Sequence, residues 1–303
     1  MKMTEVSLHE TVLRDGIQKE SPILPLSLKL EMLRGLIDAG LKHIQVASFV
    51  NPKKVPQMAD AEAFVQALPS DSKCEFSALI LNERGLDRAL ATSLTCFDLS
   101  FSCSETHSKK NVGMSYEQAR QQMHALIKKA KSRNRKVRLG LQCVFSCAYE
   151  GAVSEEKVVN LCREFLDLGL DYLSLADSTG MAIPLQIRSL IGSIKEFCQV
   201  PLILHLHDTR GMAVANLLAA FEMGVTHFDT SLGGSGGCPY IPRASGNVAT
   251  EDVVYLFKRM GIPTGLCLEK LARITKTLED FLQKSFPGKL HPLVLDQSHT
   301  SRL

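Results

Sequence analysis

Eight short β-rich runs, each followed by helical periodicity, govern what this chain can become. They fall at residues 5–9, 43–49, 75–80, 97–102, 137–144, 172–176, 202–207 and 226–232. Val, Ile, Leu and Phe dominate them, as expected of strands covered on both faces. Between them, residues 26–39 carry apolar side chains at 26, 30, 33, 36 and 37. Residues 155–168 repeat that spacing with Val158, Val159, Leu161, Cys162, Phe165 and Leu166, the period of a helix with one buried face. Strands and helices in alternation make a parallel sheet. Eight units predict an α/β protein of the (β/α)8 or TIM-barrel class, and a doubly wound open sheet is the other architecture with this pattern. No Pro/Gly/Ser-rich linker splits the 303 residues, so one catalytic domain over 1–303 is expected, with an extra helix and a polar tail from about 266.

Composition narrows the partners. A net charge of +3 is too small for a nucleic-acid surface, and the one dense basic run, residues 128–136, reads as a solvated helix end. Nine cysteines, an odd number, lie at 74, 96, 103, 143, 147, 162, 198, 238 and 267, many in apolar runs. Such usage fits reduced thiols in a cytoplasmic protein rather than a disulfide frame. Cys143 and Cys147 do not form a Cys-x-x-Cys pair, and no second pair completes a zinc site. No apolar run reaches the length of a membrane span, and the first five residues lack signal-peptide character. Ser301-Arg302-Leu303 resembles a peroxisomal address that only a eukaryotic host would read.

Barrel active sites lie at the carboxyl ends of the strands. Here Arg14 and Asp15 follow the first strand and Ser48 ends the second. Asp177 ends the sixth, His205 and His207 the seventh, and Cys238 and Asn247 follow the eighth. Residues i and i+2 of a strand share a face, so Leu204 and Leu206 pack outward while both imidazoles point inward. With Asp15 and Asn247 they form a mixed nitrogen and oxygen set for a divalent ion. Mg2+ or Mn2+ suits it, with Co2+ or Zn2+ as further candidates. A cation chelating a substrate hydroxyl and a neighbouring carboxylate favours loss of the hydroxyl proton. The alkoxide then collapses to a ketone and releases a carbanion, tolerable only as the enolate of a thioester or ketone. Arg14 is the natural stabiliser of that oxygen; as a neighbour on a strand end it is expected to point away from Asp15. The glycine-rich run 233–240 carries one cysteine, Cys238. Glycines make a mobile loop, and its thiol is placed to protonate the carbon.

These residues resemble the 3-hydroxy-3-methylglutaryl-CoA lyase family of DRE-TIM metallolyases, over nearly the whole chain from about 5 to 271. The most specific match is the loop, which in the family reads Gly-Leu-Gly-Gly-Cys-Pro-Tyr-Ala-x-Gly-Ala-Ser-Gly-Asn. Arg14-Asp15-Gly16-x-Gln18, Ser48 to Lys53, Val55 to Met58, Lys109-Lys110-Asn111, Tyr149-Glu150-Gly151 and His205-x-His207-Asp208-Thr209 support it. The resemblance implies a metal on Asp15, His205, His207 and Asn247, with Arg14 stabilising the enolate and Cys238 as mobile acid/base. It implies that Gln18, Ser48 and Ser178 lie near the acyl part of an acyl-CoA substrate, and Asn111 near the CoA portion. The implied reaction cleaves 3-hydroxy-3-methylglutaryl-CoA to acetyl-CoA and acetoacetate, in a homodimer.

The chain also departs from the family. Gln45 stands where the family has an active-site glutamate, and keeps its shape and hydrogen bonding without its charge. Ser235, Ile241 and Arg243 replace Leu, Ala and Gly in the loop, and Arg210 stands where many relatives have tyrosine. The two arginines are either solvated rim charges or partners for a more anionic substrate. A lyase on a related hydroxyacyl-CoA, a Claisen-type synthase and a non-catalytic acyl-CoA-binding paralogue are the other readings.

Overall fold

The computed structural model describes residues 5–237 and 246–296. Its strands are β1 (Ser7–Glu10), β2 (His43–Ser48), β3 (Glu75–Ile80), β4 (Cys96–Ser102), β5 (Lys136–Gln142), β6 (Tyr172–Asp177), β7 (Leu202–Leu206) and β8 (His227–Thr230). They pair in sequence order, all parallel, and β1 closes on β8 with Ser7 opposite His227 and Glu10 opposite Thr230. The helices on the outside are α1 (Leu26–Asp38), α2 (Ala61–Gln66), α3 (Glu83–Leu90), α4 (Glu105–Val112), α5 (Tyr116–Ser132), α6 (Glu155–Leu166), α7 (Pro184–Lys195), α8 (Ala213–Glu222) and α9 (Thr250–Arg259). The closed ring makes this a TIM barrel, not an open sheet. Every expected strand is present, with ends shifted by up to two residues. The two-residue shifts are at β1, which starts and ends later than 5–9, at β5, which stops at Gln142 rather than 144, and at β8, whose run 226–232 gives way to a helical turn at Leu232–Gly234.

Alternation along the strands sorts the side chains. Phe97, Leu99 and Phe101 of β4, and Val137, Leu139 and Leu141 of β5, are buried towards the helices. Asp98, Ser100, Arg138, Gly140 and Gln142 line the space inside the barrel. The helices meet the outward layer with the expected stripe, as in α6 with Val158, Leu161, Cys162 and Phe165 buried. Histidines close the amino end of the barrel. The rings of His9 and His43 stack 4.1 Å apart, and His9 Nε2 meets His227 Nδ1 at 3.1 Å. Burial, with His43 and Arg138 nearby, lowers the His227 ring to about 4, so that ring is uncharged at neutral pH.

Two further helices, α10 (Leu268–Leu282) and α11 (Leu290–Asp296), form the expected C-terminal extension. They buttress the base of the glycine loop. Thr275 of α10 donates to Glu251, which accepts the Gly233 N–H at 2.9 Å, and the Gly288 N–H reaches the Gly233 carbonyl at 2.7 Å.

Candidate active site

The turn after β1 positions the first functional pair. The Thr11 carbonyl accepts the N–H groups of Arg14, Asp15 and Gly16, and Ile17 N–H reaches the Val12 carbonyl at 3.0 Å. These five-residue spans make residues 12–16 a wide π-helical turn, a device that recurs at functional sites. It corrects one expectation. Arg14 and Asp15 do not diverge as strand neighbours would; within this single turn the Arg14 Nη1 meets Asp15 Oδ1 at 2.5 Å.

β7 supplies the imidazoles as its alternation requires, with Leu204 and Leu206 buried on the other face. His205 Nε2 and His207 Nε2 lie 3.1 Å apart. One ligand atom from each of Asp15, His205 and His207 falls within 4.8 Å of the others, the one such cluster among the described residues. Asn247 joins from the strand-like pair it makes with His207, and donates its Nδ2 to Asp15 at 2.7 Å and to the Ser235 carbonyl at 3.0 Å.

The donor set fits a divalent cation. A metal holding two cis nitrogens at ~2.1 Å spaces them roughly 3 Å apart, the separation the imidazoles have. Burial, with His205 beside it, lowers His207 to about 3, so its ring is neutral and offers a lone pair. Burial opposes ionisation of Asp15, but Arg14, the two imidazoles and the Asn247 amide outweigh it and hold the carboxyl well below its usual range. Asp229 accepts from His205 Nδ1 at 2.9 Å and so aims Nε2 at the cluster, as outer-shell carboxylates do for metal-binding histidines.

Glycine is required where the loop after β8 closes on this cluster. Gly236 has φ +101°, and a Cβ there would come within 2.7 Å of Asn247 Nδ2 and 2.9 Å of the Asp15 carbonyl. At Gly246, with φ +123°, it would meet the Gly234 carbonyl at 2.1 Å. The described flanks of the loop are therefore buried and packed onto the site. Cys238 and Arg243 lie outside the described residues, as does Ser301-Arg302-Leu303.

A cavity of about 580 Å³ opens over the cluster. It is lined by Arg14, Asp15, Gln18, Gln45, Ser48, Asn111, Ser178, His205 and His207, so all of these predicted positions converge. Their contacts differ from residue to residue. Ser48 Oγ is buried with no hydrogen-bond partner among the described residues. Ser178 accepts from the Cys143 N–H, Asn111 donates to Gln142, and Gln18 donates to Asp15. Asp177 does not take part. Its carboxylate accepts from Thr179, Met181 and Ala182 and builds the turn after β6. Arg210 donates to the Thr179 carbonyl as a brace between loops.

Sequence reasoning missed Asp98, Arg138 and Asp229 on the cavity floor. Gln45 donates to Asp98 and Arg138 donates to Asp229. Asp98 and Arg138 are charged residues between apolar strand neighbours, Phe97 and Leu99 or Val137 and Leu139, and that pattern was the available signal; Asp229 sits in a mixed strand that gives none.

A TIM barrel whose strand ends converge on buried carboxylate, imidazole and guanidinium groups beneath a large cavity defines a barrel enzyme with a candidate metal site. The HMGL-like family profile matches residues 5–278. The chain is 36% identical over 286 residues to a hydroxymethylglutaryl-CoA lyase of Bacillus subtilis, covering 94% of this chain and 96% of that protein. It is 37% identical over 269 residues to the human mitochondrial hydroxymethylglutaryl-CoA lyase, covering 88% and 82%. Among solved structures, an Acinetobacter baumannii HMG-CoA lyase in complex with coenzyme A and 3-methylmalate superposes with a TM-score of 0.92 at 33% identity, covering 96% of each chain. The chain belongs to the HMG-CoA lyase family of DRE-TIM metallolyases and is a carbon–carbon lyase.

Proposed function

We propose that this lyase cleaves a 3-hydroxyacyl-CoA, with 3-hydroxy-3-methylglutaryl-CoA giving acetyl-CoA and acetoacetate, in a divalent-metal-dependent reaction. The observation that carries the reading is the buried Asp15, His205 and His207 cluster opening onto the same cavity as Arg14. Asp15, His205, His207 and the oxygen of Asn247 would hold Mg2+ or Mn2+, with Co2+ or Zn2+ as alternatives. When bound, such an ion acts as a Lewis acid on the substrate's oxygens.

The remaining steps belong to side chains. Cys238, as the mobile acid/base, is assigned the hydroxyl proton, which its thiolate takes up; the carbon–carbon bond then breaks and its electron pair passes to the thioester fragment as an enolate. Arg14 is charged, nearly buried and fixed from two sides, which suits it to stabilise the enolate oxygen. Cys238 is assigned the proton delivered to the carbon. Ser48, Gln18 and Ser178 are assigned to the acyl group, and Asn111 to the CoA arm. Lys19 and Lys54 at the cavity rim suit the phosphates of that arm. A homodimer and a cytoplasmic setting complete the proposal; no helix among the described residues is long and apolar enough to cross a membrane.

The test incubates metal-loaded protein with 3-hydroxy-3-methylglutaryl-CoA and measures acetoacetate and acetyl-CoA. Product from the wild type that disappears in Cys238→Ala and in chelator is expected. Silence with this thioester, and turnover of another 3-hydroxyacyl-CoA, would move the substrate within the class. Free CoA released from acetyl-CoA and a keto acid would overturn the lyase direction.

A further inference from the structure

A continuous line of side chains runs inward from the proposed enolate stabiliser. Arg14 Nε donates to Gln45 Oε1, and Gln45 Nε2 donates to Asp98 Oδ2. Ser77 Oγ donates to the same Asp98 oxygen at 2.7 Å. Gln45 and Asp98 are both buried, so water does not compete for these contacts. We propose that Asp98 is a positioning residue that acts through Gln45, setting the direction of the Gln45 amide and thereby the place of the Arg14 guanidinium. The inference rests on the lyase reading above, since it needs Arg14 at the reacting oxygen.

The physical reason lies in the ambiguity of an amide. A carboxylate at position 45 would accept from Arg14 with either oxygen. Gln45 has one accepting and one donating end, and turned round it would aim an NH2 group at a guanidinium that also only donates. Asp98, when ionised, only accepts, so it holds the NH2 end and leaves Oε1 facing Arg14. In that ionised form it also brings to this wall of the cavity the negative charge that Gln45 lacks. Burial raises the Asp98 carboxyl above its ordinary value, and the Arg138 charge with the Ser77 and Gln45 hydrogen bonds pulls the other way. The Asp98 Oδ1 atom has no hydrogen-bond partner among the described residues, so one oxygen makes every contact that fixes the amide.

The test is a cycle of variants assayed at saturating substrate and at low substrate. Asp98→Asn is expected to lower kcat by about tenfold or more with KM within about threefold, because the lost interaction is made in the transition state. Asn at 98 can turn its own amide, so Gln45 loses its fixed direction. In a Gln45→Ala background Asp98→Asn should add little further loss, since its route to Arg14 is already cut. Gln45→Glu combined with Asp98→Asn should recover kcat to within about threefold of wild type, the charge having moved two strands along, from β4 to β2. An unchanged kcat in Asp98→Asn, losses that multiply in the double variant, or no recovery in the exchanged pair would each overturn the inference. If the wild type turns over no 3-hydroxyacyl-CoA, the lyase reading falls on its own account. The same cycle read as melting temperature then decides the Asp98–Gln45 link: shifts adding to within about 1 °C would sink it, and non-additivity of about 3 °C or more would support it.

Discussion

Arg14 has a fork of donors in use on two sides, with Nε on Gln45 and Nη1 on Asp15. A lysine carries the same charge as a single point and cannot reproduce that fork. Arg14→Lys should therefore fold normally yet lose about 10²- to 10³-fold in kcat, with a smaller change in KM, in steady-state kinetics. Asp229 is a second residue whose worth lies in what it holds. It accepts from both Arg138 and His205, and those partners overcome the cost of burial to keep its carboxyl well below the usual range. In Asp229→Asn the imidazole loses a charged acceptor and its fixed tautomer. Mn2+ binding followed by titration calorimetry should weaken by about 10- to 100-fold, and unchanged affinity would remove Asp229 from the site. At this scale the sequence was half legible. Asp15, His205 and His207 could be found because two histidines two apart on a strand share a face. Asp98 was marked only by its apolar strand neighbours and Asp229 by nothing, and the role of each shows only through a partner on another strand. Gln45 was visible as a departure, while its meaning depended on Asp98, 53 residues away.

Single elements decide how those residues are presented. The eight strands were readable from apolar runs, but the wide turn at Val12–Gly16 was not, since no periodicity marks five residues. That turn reverses the expected divergence of Arg14 from Asp15. Glu10 ties it to the loop after β8. One carboxylate oxygen accepts from the N–H groups of Val12 and Leu232, and the other takes the Thr250 hydroxyl at 2.6 Å. Burial pushes the Glu10 carboxyl up to about 8, against the pull of Thr250 and the two N–H groups. At neutral pH it is thus largely protonated in the folded protein, whereas in the unfolded chain it is ionised. The folded state binds the extra proton, so the stability this proton contributes is complete below about pH 4.5 and is lost as pH rises towards 8. Gln at position 10 mimics the protonated form and has no proton to lose. Thermal melts of wild type and Glu10→Gln at pH 6, 7 and 8 should show the wild type falling relative to the variant, with two parallel curves as the contrary result.

Barrel closure is a property of the whole chain. The ring is completed where β1 meets β8, and the candidate metal cluster stands over that seam. Asp15 follows β1, His205 lies on β7 with His207 just after its end, and Asn247 follows β8. An ion held there would join the first strand of the barrel to its last two. Unfolding would separate these ligands, so the ion binds the folded chain and not the unfolded one. At a free concentration a hundred times its dissociation constant, such an ion stabilises the fold by about 2.7 kcal/mol. For a chain of 303 residues that is a rise of roughly 4 °C in melting temperature. Chelation followed by return of Mn2+ should lower and restore the transition by that amount. Asp15→Asn should abolish the response while keeping the strand content seen by circular dichroism. The seam argument adds a further expectation that an ion on an isolated surface site would not meet. Hydrogen exchange should slow on metal addition in the β1, β7 and β8 amides together, and little in β3 to β5 on the far side of the barrel. Uniform slowing, or none at the seam, would place the ion elsewhere.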